Sequence, residues 1–236
     1  METITTKTFE EIKDFIVRRG KQFEWCEGQA NRMYNASSIH ELLEVIKDNI
    51  AWIASKQEGL ADILEELFGT ELLFFHNIYT SGKHHLSIDK PAYIVTLGSS
   101  SATVETLDSS SATVETLGSS SATVETLGSS SATVKTWGSS SATVKTLDSS
   151  SATVKTLDSS SATVKTLGSS STTVKTLDSS SATVETLGSS SATVETWGSS
   201  SKLTYSLGDG PCPSIKHLSE RKLFVKTSDF EIVQVQ

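Results

Sequence analysis

Ser101-Ala102-Thr103-Val104-Glu105-Thr106-Leu107-Asp108-Ser109-Ser110 is one copy of a ten-residue phrase that runs ten times without insertion from Ser101 to Ser200. Degenerate copies precede it from Ala92 and follow it to Gly210. Four positions vary: the second is Ala except at Thr172, the fifth is Glu or Lys, the seventh Leu or Trp, the eighth Gly or Asp. A strict short period is the mark of a solenoid or array. Ser/Thr-rich tracts are often disordered, but this one alternates Ala, Val and Thr with more polar residues, as a half-buried strand does. Thr and Val favour strands, and Gly or Asp followed by Ser places a turn at the same point of every cycle.

Strand alternation allows two registers. One buries Ala102, Val104 and Thr106 and leaves Thr103, Glu105 and Leu107 outside. The other buries the Glu/Lys position, and unpaired buried charge is prohibitive. The first register is therefore expected. The tryptophans at the Leu107 position agree with it, because an indole does not fit a thin interior of Ala and Ser. A corner near Glu105 and Thr106 would instead turn the leucines inward. Coil length is open between ten and twenty residues. The ten-residue coil is preferred here, giving about eleven rungs and roughly 50 Å of rod.

Two outward ladders follow. The charged one reads Glu105, Glu115, Glu125, then Lys135, Lys145, Lys155, Lys165, Lys175, then Glu185 and Glu195. The apolar one reads Leu107, Leu117, Leu127, Trp137, Leu147, Leu157, Leu167, Leu177, Leu187 and Trp197, expected as one stripe along one edge. A contiguous exposed apolar stripe marks an interface, so this edge is the candidate contact for a protein partner or a second copy. Asp148, Asp158 and Asp178 fall within the lysine block and Asp108 outside it.

The rest of the chain has another character. Residues 1–90 read as a helical head and N-terminal cap, residues 91–210 as the solenoid, and residues 211–236 as a C-terminal cap. The expected class is α+β. Thr8-Phe9-Glu10-Glu11 and Ser38-Ile39-His40-Glu41 have the form of capping boxes. The first opens a long amphipathic helix through Phe9, Ile12, Phe15, Ile16, Phe23, Cys26, Ala30 and Met33, with Gly20 as a bend. The second opens a helix closing near Gly59. Leu60 to Phe68 reads as a third helix stopped by Gly69, with a further turn from Thr70 to Phe75. Ile78-Tyr79 and Leu86 to Ile88 read as strands, and Tyr93 to Val95 as the first rung. Arg221 to Lys226 and Phe230 to Val235 alternate around Thr227-Ser228-Asp229, a hairpin signal. Such a hairpin would cover strand edges that otherwise invite end-to-end association.

Chemistry-bearing residues point away from catalysis. His76, His84 and His85 do not make a metal set, since adjacent histidines on a strand face opposite ways and no fourth ligand has the spacing. Cys26 beside Trp25 reads as a core residue. Glu58, Asp62, Glu65 and Glu66 read as a solvated helix surface. The chain has neither a Gly-x-Ser-x-Gly elbow nor a phosphate-binding glycine loop, so no enzyme and no cofactor is expected. The net charge of −8 over 236 residues and a pI near 5.2 disfavour nucleic-acid binding. Cys26 and Cys212 lie far apart in sequence and set up no disulfide framework. No membrane span and no secretory signal are read, and a cytoplasmic or phage-associated product is expected.

The phrase Ser-Ser-Ser-Ala-Thr-Val, joined to a head containing Trp25-Cys26-Glu27-Gly28-Gln29-Ala30 and Glu44-Val45-Ile46-Lys47-Asp48-Asn49, resembles repeat proteins of gut Bacteroidales and their phages. The resemblance covers most of the chain and implies a β-solenoid with a helical head, but no activity. More loosely, the repeat resembles insect antifreeze solenoids, pentapeptide-repeat proteins and phage fibre modules. The leading expectation is a non-enzymatic structural or binding protein, a rigid spacer or ladder-like surface attached through the head. The alternatives are an ice- or crystal-surface binder and an acidic DNA mimic, the latter weakened by the five-lysine block.

Overall fold

The structure, a computed structural model, describes residues 7–197, 202–207, 214–217, 223–226 and 232–235. The chain divides into two compact units, Met1–Thr80 and Ser81–Gln236.

The first unit is helical: α1 (Phe9–Gln22), α2 (Glu27–Asn35), α3 (Ile39–Asp48), α4 (Ile50–Lys56), α5 (Leu60–Phe68) and α6 (Thr70–Phe75), with a short strand β1 (Ile78–Tyr79). Its core contains Ile12, Met33, Leu42, Leu43, Ile50 and Leu73. The capping box at Thr8 forms, the Thr8 hydroxyl accepting from Glu11 N and the Glu11 carboxylate from Thr8 N. At Ser38 only half of the box forms, because the Glu41 carboxylate bonds Ser37 N at 2.7 Å instead. Those backbone hydrogen bonds hold the Glu11 and Glu41 carboxyls below their ordinary range. The expected long first helix breaks at Glu24, which takes a left-handed φ of 56°, and not at Gly20. Glycine is needed at position 20 for another reason: the Trp25 ring lies on it, and a Cβ there would come within 2.8 Å of the indole. The expected second helix likewise divides at Asn49 into α3 and α4. Among the described residues no helix is long and apolar enough to cross a membrane.

The second unit is a parallel β-solenoid. It opens with β2 (Lys83–Ile88) and β3 (Ala92–Thr96). One strand per phrase follows: β4 (Ser101–Thr106), β5 (Ser111–Thr116), β6 (Ser121–Thr126), β7 (Ser131–Thr136), β8 (Ser141–Thr146), β9 (Ser151–Thr156), β10 (Ser161–Thr166), β11 (Ser171–Thr176), β12 (Ser181–Thr186) and β13 (Ser191–Thr196). It closes with β14 (Lys202–Leu207), β15 (Ser214–His217), β16 (Leu223–Lys226) and β17 (Ile232–Val235). Each repeat strand pairs with the strand two phrases on, Ser101 with Ser121 and Ser111 with Ser131. Odd-numbered strands from β3 to β15 form one sheet and even-numbered strands from β2 to β16 the other. The coil therefore has twenty residues, one phrase per side, not the ten preferred from sequence, and the rung count is about half of that reading. The reason is geometric: each phrase supplies one six-residue strand and a single four-residue turn, which reverses the chain once. At the C-terminal end β17 joins β16 antiparallel, Val225 opposite Val233, as the hairpin signal indicated.

The expected register is the observed one. Val104, Val114, Val124 and their equivalents are fully buried, with Ala and Thr of each strand on the same inward side. At the corner, Leu107 N continues the ladder to Ile88 O, and Ser110 N closes the turn on Leu107 O at 3.0 Å. The residue after the leucine or tryptophan has positive φ, 58° at Asp108 and 70° at Gly138. Only Gly, or a short polar residue such as Asp, tolerates that region cheaply. The last serine of the phrase is buried as well, which alternation alone did not indicate. Ser130 Oγ donates to Thr106 O and Ser150 Oγ to Thr126 O, both at 3.0 Å. The same hydroxyl accepts from the leucine amide, as at Leu147 N to Ser150 Oγ. The Thr106 and Thr126 hydroxyls donate to Glu125 O and Lys145 O, both at 3.2 Å.

One phrase departs from Ala at its second position. Thr172 is buried, its Oγ1 lying 3.2 Å from Thr146 Oγ1 and 3.2 Å from Thr166 Oγ1 in the facing sheet. The alanine position of one sheet thus faces the threonine position of the other, small against larger across a thin core.

Two outcomes follow. Deleting one coil, residues 121–140, should keep a cooperative thermal transition. Deleting one phrase, residues 121–130, should broaden or abolish it, because every later strand changes sheet; circular dichroism melts distinguish the two. Thr172→Ala should change stability by less than about 0.5 kcal/mol, whereas Ala142→Leu should cost about 1–3 kcal/mol through overpacking, read from urea unfolding.

Candidate interaction surfaces

A twenty-residue coil splits each outward ladder in two. On one sheet the charged column reads Glu115, Lys135, Lys155, Lys175, Glu195. On the other it reads Glu105, Glu125, Lys145, Lys165, Glu185. Because neighbours in a column are two phrases apart, each boundary of the acid–base–acid block creates two ion pairs instead of one. Lys135 meets Glu115 and Lys145 meets Glu125, both at 2.6 Å. Lys165 meets Glu185 at 2.7 Å and Lys175 meets Glu195 at 2.8 Å. Glu105 lies beside His85, whose Nε2 is 3.3 Å away. Lys155 has lysines in both adjacent rungs. Beside each column run ladders of serine and threonine, Ser101 on Ser121 and Thr103 on Thr123.

The apolar position also divides, and the single exposed stripe expected from sequence does not exist. Leu117, Trp137, Leu157, Leu177 and Trp197 follow the strands of one sheet; Leu107, Leu127, Leu147, Leu167 and Leu187 follow those of the other. The position sits at the corner, not on an open face, so its side chains are mostly half-buried. Leu117 is 1 % exposed, whereas Trp197 is 46 % exposed. The Trp137 indole N–H is buried without a hydrogen-bond partner. Both tryptophans lie on the same edge, three coils apart.

No protein-family model, curated protein or solved structure matches the chain.

In the helical unit the structure joins residues that the sequence kept apart. His76, 7 % exposed, places Nδ1 2.6 Å from Glu44 Oε1 and Nε2 2.9 Å from His40 Nδ1. Lys47 Nζ donates to His76 O at 2.6 Å, and burial pushes the Lys47 ammonium below its ordinary pKa. The direct contact between the two imidazoles leaves no space for an ion between those nitrogens. It ties the end of α6 to α3. Among the described residues no group of His, Cys, Asp and Glu has metal-binding geometry. The i, i+4 spacing of His40 and Glu44 was the only local sign of this chain of contacts.

The other singled-out residues fall as follows. His84 and His85 are on opposite sides of β2, His84 Nε2 lying 2.7 Å from Ser81 O. Cys26 is exposed, not a core residue, because the break at Glu24 makes it the N-cap of α2. Glu66 pairs with Lys7 at 2.7 Å on the surface. Cys212 lies outside the described residues.

The ion pairs should not contribute equally. Glu115 is 7 % exposed at its side chain, whereas Lys165 and Glu185 are 45 % and 31 % exposed. Glu115→Gln should therefore cost about 1 kcal/mol, while Lys165→Gln should cost less than about 0.5 kcal/mol. Urea titrations at low and high salt measure both.

Proposed function

We propose that this protein is a non-enzymatic structural or interaction protein, a stiff β-solenoid spacer whose repeated outer surface is its binding element and whose helical unit provides attachment. The observation that carries this reading is the in-register stacking of near-identical phrases, which turns one decapeptide into continuous columns on two sheets. A uniform lattice of side chains suits a partner with many equivalent contacts or a purely mechanical role. The partner we favour is a protein or a second copy, engaged along the corner that carries Trp137 and Trp197. The protein would act in the cytoplasm or within a phage particle.

Light scattering on the eluate of a sizing column tests this. The full chain should travel above monomer mass, and Trp137→Ser with Trp197→Ser should return it to monomer. A parent protein that is strictly monomeric and retains no partner would overturn the interaction reading.

A second reading, binding to ice or another crystalline surface, is favoured by the parallel Ser and Thr hydroxyl ladders outside both sheets. Their rung spacing of about 4.8 Å is set by strand pairing. Lysines in the middle of both charged columns argue against the DNA-mimic alternative, which needs continuous negative charge. Thermal hysteresis of the purified protein decides the crystalline-surface reading: none measured, none supported.

A further inference from the structure

We infer that the helical unit binds a small organic ammonium cation in the cleft formed where α1 ends and α2 begins. The cleft holds about 380 Å³ and is lined by Glu24, Trp25, Cys26, Gln29, Asn49 and Trp52. The indoles of Trp25 and Trp52 have centroids 5.9 Å apart and planes at 78°. Two rings meeting edge to face at nearly a right angle form two walls of a cage, and indole faces attract cations through their quadrupole. Trp52 is 37 % exposed, so part of its surface is open to a ligand.

The charge around the cleft selects the ligand class. No cationic residue lines it, and its carboxylate, Glu24, has no ionic partner among the described residues. Arg32, the guanidinium bonded to Gln29, is neutralised by Asp48 at 2.7 Å. Phe23, which packs edge to face on Trp52, already carries the Arg19 guanidinium 6.0 Å from its centroid. Trp25 and Trp52 carry no such protein cation among the described residues. Asn49 Nδ2 is used on Val45 O and Gln29 Oε1, which leaves the amide oxygen as the remaining group of Asn49. Two aromatic walls, a lone carboxylate and an amide acceptor match a quaternary or methylated ammonium, not an anion.

The turn that ends α1 positions the site: Glu24 N donates to Lys21 O and Trp25 N donates to Gly20 O at 3.1 Å, a left-handed helix cap that fixes where Trp25 stands. Gly20 admits the Trp25 ring, and Glu24 is kept at positive φ between Phe23 and Trp25.

The test uses the full chain with choline chloride as probe, titrated calorimetrically against sodium chloride of equal ionic strength. The uncharged isostere 3,3-dimethylbutan-1-ol and methyl glucoside serve as comparisons. Saturable choline binding is expected, with the isostere bound at least about tenfold more weakly. Glu24→Gln should weaken choline about fivefold to tenfold, and Trp52→Ala should remove the signal. Equal binding of choline and the isostere would reduce the cleft to a plain apolar pocket and overturn the inference. So would saturation by the glucoside alone, no saturation by any probe, or an unchanged affinity in Glu24→Gln. If Trp52→Ala loses its helical circular dichroism, the isostere comparison and Glu24→Gln, a surface substitution, decide the matter.

Discussion

A hydroxyl sealed between two sheets must find a partner or it destabilises the fold. This solenoid depends on how that requirement is met. The corner serine and the strand-end threonine of most phrases reach backbone carbonyls of neighbouring coils, Ser150 to Thr126 and Thr126 to Lys145, while the Thr176 hydroxyl is buried without a partner. Every such bond joins one coil to the next, so the polar groups of the interior reinforce the stacking that the strand ladders begin. Valine supplies the dry contact at mid-strand, and alanine leaves room for the threonine that faces it. Thr172 shows the tolerance of the arrangement, since its extra hydroxyl falls between two threonine hydroxyls that can share it.

The same geometry gives the charge pattern its meaning. Along the chain, five lysines in succession look like a block of repulsion. Along the sheets, the block divides between two columns, and four of the five lysines touch glutamates. Such pairs are individually weak at exposed positions. They add contacts between coils in a repeat where Ser, Ala, Thr and Val are nearly the same at every rung.

The helical unit follows other rules. Its elements are joined by specific contacts, not by periodicity: the Trp25 ring on Gly20, the Lys13 ammonium on Ala36 O, and the line from Glu44 through His76 to His40. Each brings together residues from separate helices or from the break between them. Among the described residues that is also where a cleft has two tryptophan walls and a carboxylate without an ionic partner, which makes this unit the place to look for a small ligand. The solenoid, by contrast, offers extended surfaces.

The repeat made much of the solenoid readable from sequence. Burying charge is prohibitive, so the Glu/Lys position had to face out, and period-2 alternation then placed Ala102, Val104 and Thr106 inside. The capping residues Thr8 and Ser38 and the stop at Gly69 marked helix ends because they supply or need local hydrogen bonds. Coil length was not readable, since a ten-residue period is satisfied equally by one phrase per coil or by one phrase per side. Only the pairing of Ser101 with Ser121 decided it. From that single tertiary fact follow the two charged columns, the two corner edges of leucine and tryptophan, and the burial of Ser130 and Ser150. The contact of His40 with His76 and the corner made by Trp25 and Trp52 were hidden for the same physical reason. Sequence spacing sets which face of one element a residue occupies, while contact between elements is decided by how those elements pack.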